Sequence, residues 1–340
     1  MNIINLFDLS FLIFLLLSVN FILGKNRLLL DIPSYSNHKI ENNKKTVLSG
    51  GFFIFFSLVY FNITKNINVE IIYILFLILI LGLLSDKNIL KSPLKRLIFQ
   101  LIIMIFVVVI FKIQISNTRL FFIDNLLSNY YFNIIFTISC LLVLINGSNF
   151  IDGLNGLSCG YFFLVCLSII LLNPANGIKL IYLENFYYLI PILFIFIFFN
   201  ILNKNFMGDN GIYFLSAFLG VELINFANLN FNYISPIYIV SILWYPAFEN
   251  LFSILRRLYK KSEVSDPDTL HLHTLIYYKI KNKFNFKFSN NLASVIILLY
   301  CVVGFWLSNA FYYESSILSI ILLFNILVYL ISYLFFKNEK

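Results

Sequence analysis

Apolar runs of membrane-crossing length recur along this chain, and that recurrence constrains its fold more than any other feature. They fall at about 6–24, 50–64, 69–84, 97–114, 132–148, 157–173, 186–202, 211–228, 233–255, 291–309 and 315–336, mostly near the roughly 17–25 residues a transmembrane helix needs. None keeps the period-two alternation of a barrel strand. Hydrophobic residues make up 60% of the chain and charged residues 12%. A soluble domain has roughly 45–50% and about 25%, and the mean hydropathy here is +0.89. The expected fold is all-α, a polytopic transmembrane helical bundle of about eleven helices, with residues 1–340 forming one integral membrane domain.

Orientation follows from charge. No basic residue precedes the first run and no small-x-small site follows it, so a removable signal peptide is not expected. Lys25 and Arg27 come directly after it, which places the N-terminus outside. Eleven crossings then leave only Lys65, Lys112, Arg119 and Lys179, of 24 Lys and Arg, on the outer side. That excess of inner positive charge is the pattern of membrane proteins, and it puts the C-terminus in the cytoplasm. The basic residues meet water or lipid head groups, and no nucleic-acid partner is expected. Cys140, Cys159, Cys166 and Cys301 lie in or beside apolar runs without metal-ligand spacing, so packing is their expected role.

In this topology every polar island faces the cytoplasm, in loops at about 25–50, 85–96, 146–158, 203–211 and 256–290. The stretch NGSNFIDGLNGLSCG, Asn146 to Gly160, is the most distinctive. Glycines at 153 and 156 let the backbone approach a ligand closely. Three carboxylates recur where helix meets cytoplasm: Asp86, Asp152 and Asp209. Acidic groups near membrane depth are costly, which makes them candidates for function. Asp152 and Asp209 each precede a helix, so capping is the competing role for them. Three on one face favour a shared site, and carboxylates without Cys ligands suit Mg²⁺ or Mn²⁺ held together with substrate phosphates.

The segment DPDTLHLHTL offers His271 and His273 two residues apart, a spacing that puts both imidazoles on one side of an extended or turning chain, able to meet phosphate oxygens or a metal. His38 is a weaker candidate. Glu249 lies two turns before Arg256 on one helix face, where an internal ion pair or a head-group contact would offset its desolvation. Gln100 serves either a bundle hydrogen bond or a substrate contact.

Taken in order, these motifs resemble the polyprenyl-phosphate N-acetylhexosamine-1-phosphate transferases, a glycosyltransferase family 4 type that includes undecaprenyl-phosphate GlcNAc-1-phosphate transferases. The resemblance runs from about Asp31 to Leu275: DIP with His38 and a double glycine, Ser85-Asp86 followed by Lys95-Arg96 and Gln100, Asn146 and Asn149 before DGLNGL, FMGDNG, Pro246 with Glu249 and Arg256-Arg257, and His271 with His273. It implies transfer of a sugar-1-phosphate from a UDP-sugar to a polyprenyl phosphate with release of UMP, in the bacterial inner membrane, to begin a cell-surface polysaccharide such as an O-antigen. It also implies Mg²⁺, or Mn²⁺, at Asp209 with Asp152. Asp86, Asp152, His271 and His273 become the catalytic candidates. Asn149, Gly153, Leu154 and Asn155 contribute to the nucleotide site, Phe206 matches an aromatic that stacks on uracil, and Lys44 or Lys45 a nucleotide contact. A homodimer is compatible with the sequence, which specifies no quaternary state.

This chain departs from the family pattern at Ser85, where an aspartate is usual, at Asn155, at Ile212 after Gly211, and at Thr274 after His273. Ser85 is not expected to silence it. A phosphate monoester has a second pKa near 6, so a lipid phosphate is already mostly a dianion at neutral pH and does not need an aspartate base. Two other readings compete: a phospho-N-acetylmuramoyl-pentapeptide transferase, and, in another class, a transporter or lipid flippase. A transporter would place its polar residues near the bilayer midplane rather than at one face.

Overall fold

The computed structural model describes residues 4–31, 46–65, 70–172, 182–260, 270–284 and 288–338. Each of the eleven expected runs is a helix: α1 (Leu6–Lys25), α2 (Gly50–Lys65), α3 (Ile71–Asp86), α4 (Pro93–Ile110), then a short α5 (Phe121–Leu127), α6 (Tyr130–Ile151), α7 (Leu157–Ile170), α8 (Glu184–Ile201), α9 (Gly208–Leu229), α10 (Pro236–Lys260), a further α11 (Leu272–Phe284), α12 (Ser289–Ala310) and α13 (Ser315–Asn338). Eight of these, α1, α4, α6, α8, α9, α10, α12 and α13, are long and apolar enough to cross a membrane; α2, α3 and α7 are shorter apolar helices.

The bundle is organised around α9. Its residues from Asn210 to Leu223 are buried without a break, the pattern of a helix apolar on every side and surrounded by others. Helices α2, α3 and α6 pack against it. Outer helices carry the reverse signature: Phe14 and Phe21 on α1, Phe106 and Ile110 on α4, Trp306 on α12, and Phe324 and Phe335 on α13 are exposed apolar side chains. Rings of that size left outside a packed core suit hydrocarbon rather than water. All four cysteines are free thiols, with Cys159, Cys166 and Cys301 buried and Cys140 exposed.

No sheet was expected, yet a small one orders one end of the bundle. Strand β1 (Leu30–Asp31) runs antiparallel to β2 (Thr46–Leu48), which pairs in parallel with β3 (Asn205–Phe206). Because β2 leads into α2 and β3 into α9, this pairing starts the two helices side by side. Two expected loops also shrink. The stretch at 146–158 is helical through Ile151, so only Asp152–Gly156 separate α6 from α7. Nothing from Asn146 to Phe150 breaks a helix except Gly147, and there the missing Cβ lets α6 lie against the Pro246 carbonyl of α10. The region at 256–290 contains α11, whose apolar Leu272, Leu275, Ile276 and Ile280 are buried.

Candidate active site

The amino end of α9 is built by a carboxylate from another helix. Asp86, the last residue of α3, accepts the backbone N–H of Asp209 at 2.9 Å on one oxygen and that of Asn210 at 3.0 Å on the other. A helix start leaves such N–H groups without intrahelical partners, and a negative charge there also complements the helix dipole. Capping therefore falls to Asp86 and not to Asp209. The approach is close: Gly208 has φ +71°, and a Cβ on it would crowd the Asp86 carboxylate. A Cβ on Gly82 would strike the Asn210 backbone. Asn210 completes the joint, accepting from the Gly51 N–H at 2.9 Å and donating to Asp86 at 2.5 Å.

Released from capping, Asp209 turns its side chain into the space between helices. Its Oδ1 accepts from Asn149 Nδ2 of α6 at 2.8 Å, and its Oδ2 from Ser85 Oγ of α3 at 2.5 Å and from Arg96 of α4 at 3.0 Å. Arg96 also donates to Ser85 at 2.8 Å. Asp209 and Arg96 keep 24% and 25% of their side-chain surface, so the pair is reachable from outside the bundle. Gln100, one turn after Arg96, is buried and accepts from Asn146 Nδ2 at 2.9 Å.

The α6–α7 connection lies alongside. Asp152 accepts from Ser158 Oγ at 2.5 Å, and its backbone N–H bonds the Asn149 carbonyl at 3.3 Å. Asn155 ties the turn to two other segments, its N–H to Asn290 at 2.7 Å and its amide to Asn203 at 2.6 Å. Leu154 is part of the main core. Gly153 faces His273: a Cβ there would sit 3.1 Å from Nε2.

The two histidines stand at the start of α11 with parallel rings, centroids 5.5 Å apart and planes 8° from each other. Helix α10 supports both. Tyr245 Oη lies 3.3 Å from Nδ1 of His273, and one turn on Glu249 Oε1 lies 2.8 Å from Nδ1 of His271. The Phe150 ring packs on His271 at 5.2 Å. Glu249 was expected to engage Arg256 or a head group; the partners seen are His271 and Tyr329, whose hydroxyl donates at 2.7 Å. Arg256 donates to the Leu270 carbonyl and to Ser253.

Comparison with known proteins accords with this arrangement. A family model described as glycosyl transferase family 4 matches residues 68–227. A Bacillus subtilis (strain 168) protein named as a probable undecaprenyl-phosphate N-acetylglucosaminyl 1-phosphate transferase is 27% identical over 266 residues, covering 75% of this chain and 69% of the relative. Over that stretch the chain is similar to the glycosyl transferase family 4 type. The family match spans α3 to α9 almost entirely and so contains Ser85, Asp86, Arg96, Asn149, Asp152 and Asp209. Glu249, His271 and His273 lie beyond it, and the fold brings them to the same end.

Of the residues singled out in the sequence, Asp86, Asn149 and Asp209 touch directly or through the start of α9. Asp152, Gly153, His273 and His271 continue from Asn149 in an unbroken line. Phe206 is 2% exposed and packs with Val19, Leu23, Leu29, Val47 and Leu48 in a satellite core. Lys44, Lys45 and His38 lie outside the described residues. Arg96, Asn210, Tyr245 and Tyr329 had not been recognised as parts of the site. The first sits in the Lys95-Arg96 motif and was legible there; the others are marked only by what they touch in three dimensions.

Among the described residues no three His, Cys, Asp or Glu side chains converge as a metal cage. Both oxygens of Asp86 are turned to α9, which removes it from a ligand set. Asp209 fits the other mode, in which Mg²⁺ is held by one or two carboxylates and by the phosphates of its substrate: its side chain is an anion, partly open and held by neighbours from three helices.

Proposed function

We propose that this chain transfers a sugar-1-phosphate, an N-acetylhexosamine-1-phosphate, from a UDP-sugar to undecaprenyl phosphate or a similar polyprenyl phosphate. The observation that carries the reading is Asp209, an accessible carboxylate at the amino end of the central helix, fixed by Asn149, Ser85 and Arg96 from three others. The name of the Bacillus subtilis relative supports it and favours N-acetylglucosamine over the muramoyl-pentapeptide alternative. Cell-surface polysaccharide initiation is the pathway class that fits a lipid-linked product.

In this reaction an oxygen of the lipid phosphate bonds to the sugar-bearing phosphorus, and the bond from that phosphorus to the bridging oxygen breaks. UMP leaves, and the product is a polyprenyl diphosphate sugar. Nucleophile and donor are both anions, so the chain's task is to neutralise and align them. Arg96 supplies a cation beside Asp209, and His271 and His273 can donate to phosphate oxygens. Asn149 fixes the Asp209 carboxylate, and the loop at Gly153 lets backbone approach the donor. Mg²⁺, or Mn²⁺, held at Asp209 with Asp152 near it, would offset charge on the diphosphate.

The reading places the site at the cytoplasmic face of a bacterial inner membrane, with eleven crossings and the N-terminus outside. Charge supports that placement. Lys25, Arg27, Lys87, Lys91, Lys95 and Lys204 sit at the ends of α1, α3, α4 and α8 that meet the site, as the positive-inside pattern requires. At the far end Lys65 is neutralised by Asp8 at 2.9 Å. A transporter is disfavoured because the polar groups of the site cluster at helix ends.

Purified protein supplied with Mg²⁺, undecaprenyl phosphate and a panel of UDP-N-acetylhexosamines should release UMP and form a lipid-linked sugar. Absence of turnover with every donor would overturn the reading.

A further inference from the structure

Helix α10 presents Tyr245, Glu249 and Ser253 at successive turns, and all three face the histidine pair. Glu249 has no exposed surface. Its Oε1 is 2.8 Å from Nδ1 of His271, while its Oε2 accepts from the Tyr329 hydroxyl of α13 at 2.7 Å. Ser253 Oγ lies 3.4 Å from the same Nδ1. A buried carboxylate left without such partners costs several kcal/mol or more, so these bonds are strongly determined. The ring itself is clamped between Phe150 and His273.

That arrangement dictates where the second ring nitrogen points. A carboxylate accepts hydrogen bonds, so His271 carries its hydrogen on Nδ1 whether the ring is neutral or protonated. Nε2 then faces away from α10. The neighbouring ring is parallel and also turns Nδ1 to α10, towards Tyr245, and its Nε2 lies beside Gly153 of the α6–α7 turn. The two Nε2 atoms thus point the same way, towards the connection that follows Asn149.

We propose that Glu249, buttressed by Tyr329, is a positioning residue: it binds the Nδ1 hydrogen of His271 and so, in the imidazolium form, presents an Nε2–H donor to the diphosphate of the nucleotide donor. This deepens the transferase reading and rests on it. The dependence on α13 is part of the proposal, because Tyr329 links the last helix to a site otherwise built from the middle of the chain. Nothing in the local sequence around His271 signals this, since Glu249 lies 22 positions before it and Tyr329 lies 80 positions after Glu249.

The chain contains three histidines, few enough for nitrogen-15 NMR of histidine-labelled protein, with H38N and H273N spectra assigning His271. The expected result is hydrogen on Nδ1 of His271 in the wild type, and a shift of its Nε2 resonance when UDP and Mg²⁺ are added. Hydrogen on Nε2 alone, or no response to UDP, would overturn the proposal. Neither readout needs turnover, so both remain decisive should every UDP-sugar fail as a donor.

Kinetics supply the second arm. H271N should lower kcat by about 100-fold, the scale of a proton-donating side chain, and E249Q by about tenfold, as for a supporting hydrogen-bond partner, each with KM for the UDP-sugar within about threefold. Groups acting through one another are not additive, so the double variant should be no slower than H271N. Losses that multiply would show that Glu249 acts elsewhere. E249Q keeps the size and the acceptor oxygen of the side chain; its melting temperature, read alongside, identifies any loss due to unfolding.

Discussion

Two aspartates only two helix ends apart carry different tasks, and the difference lies in which atoms surround each. Asp86 spends both oxygens on the N–H groups of Asp209 and Asn210 and on the Asn210 amide. Asp209 directs its oxygens to side chains of α3, α4 and α6. Asp209→Asn should therefore abolish turnover by at least about 100-fold while leaving the melting temperature nearly unchanged, measured by thermal unfolding of the purified protein. Asp86→Asn should do the reverse first. An amide turned to two backbone N–H groups leaves at least one of them unsatisfied at about 1–3 kcal/mol, so the protein should melt earlier, with activity falling in step. Ser85→Ala removes one donor to Asp209 but leaves Arg96 and Asn149 in place, and a loss in kcat of less than about tenfold is expected. If Ser85→Ala matched Asp209→Asn, the hydroxyl rather than the carboxylate would be the essential group.

At the scale of elements, the site depends on how tightly α3, α2 and α9 approach. A Cβ on Gly82 or on Gly51 would overlap atoms of Asn210, and packed interiors yield little to such insertions, at a cost of typically about 1–3 kcal/mol. Gly82→Ala should lower the melting temperature and, by moving Asp86 off the start of α9, reduce turnover too; an unchanged melting temperature would mean the helices can separate freely. The eleven apolar runs were legible because hydrophobic length alone marks a membrane helix. Helix α11 was not, since Lys279, Lys281 and Lys283 interrupt its apolar face and its length falls short of a crossing. The three-stranded sheet was hidden for a related reason: strands of two or three residues show no periodicity, and the β2–β3 pairing joins segments more than 150 residues apart. The candidate site was legible as a set of residue types at one membrane face. Its assignments of partner were not, because Asp86 capping a helix of residues 208–229 and Glu249 meeting His271 are long-range contacts that spacing along the chain does not encode.

For the whole molecule the decisive quantity is orientation, since the proposed transfer from a nucleotide sugar made in the cytoplasm requires the Asp209 end of the bundle to face inward. Each crossing reverses the chain, so the segment after α4 and the segment after α8 must lie on opposite faces if α6, α7 and α8 all cross. Ser116 and Lys204 are exposed positions in those two segments, and the Lys204 N–H bonds the Phe199 carbonyl of α8 at 3.0 Å in the turn towards β3. Single cysteines there, in a chain whose exposed Cys140 has been replaced by serine, can be labelled in whole cells with a thiol reagent that does not cross membranes. Ser116→Cys should react in intact cells. Lys204→Cys should react only after the membrane is opened. Equal labelling of both would mean that one of the shorter helices, α7 being the candidate between them, dips into the bilayer without crossing. The reversed pattern would put Asp209, Arg96 and the histidines outside, where no cytoplasmic nucleotide sugar could reach them, and the transferase reading would fall with the topology.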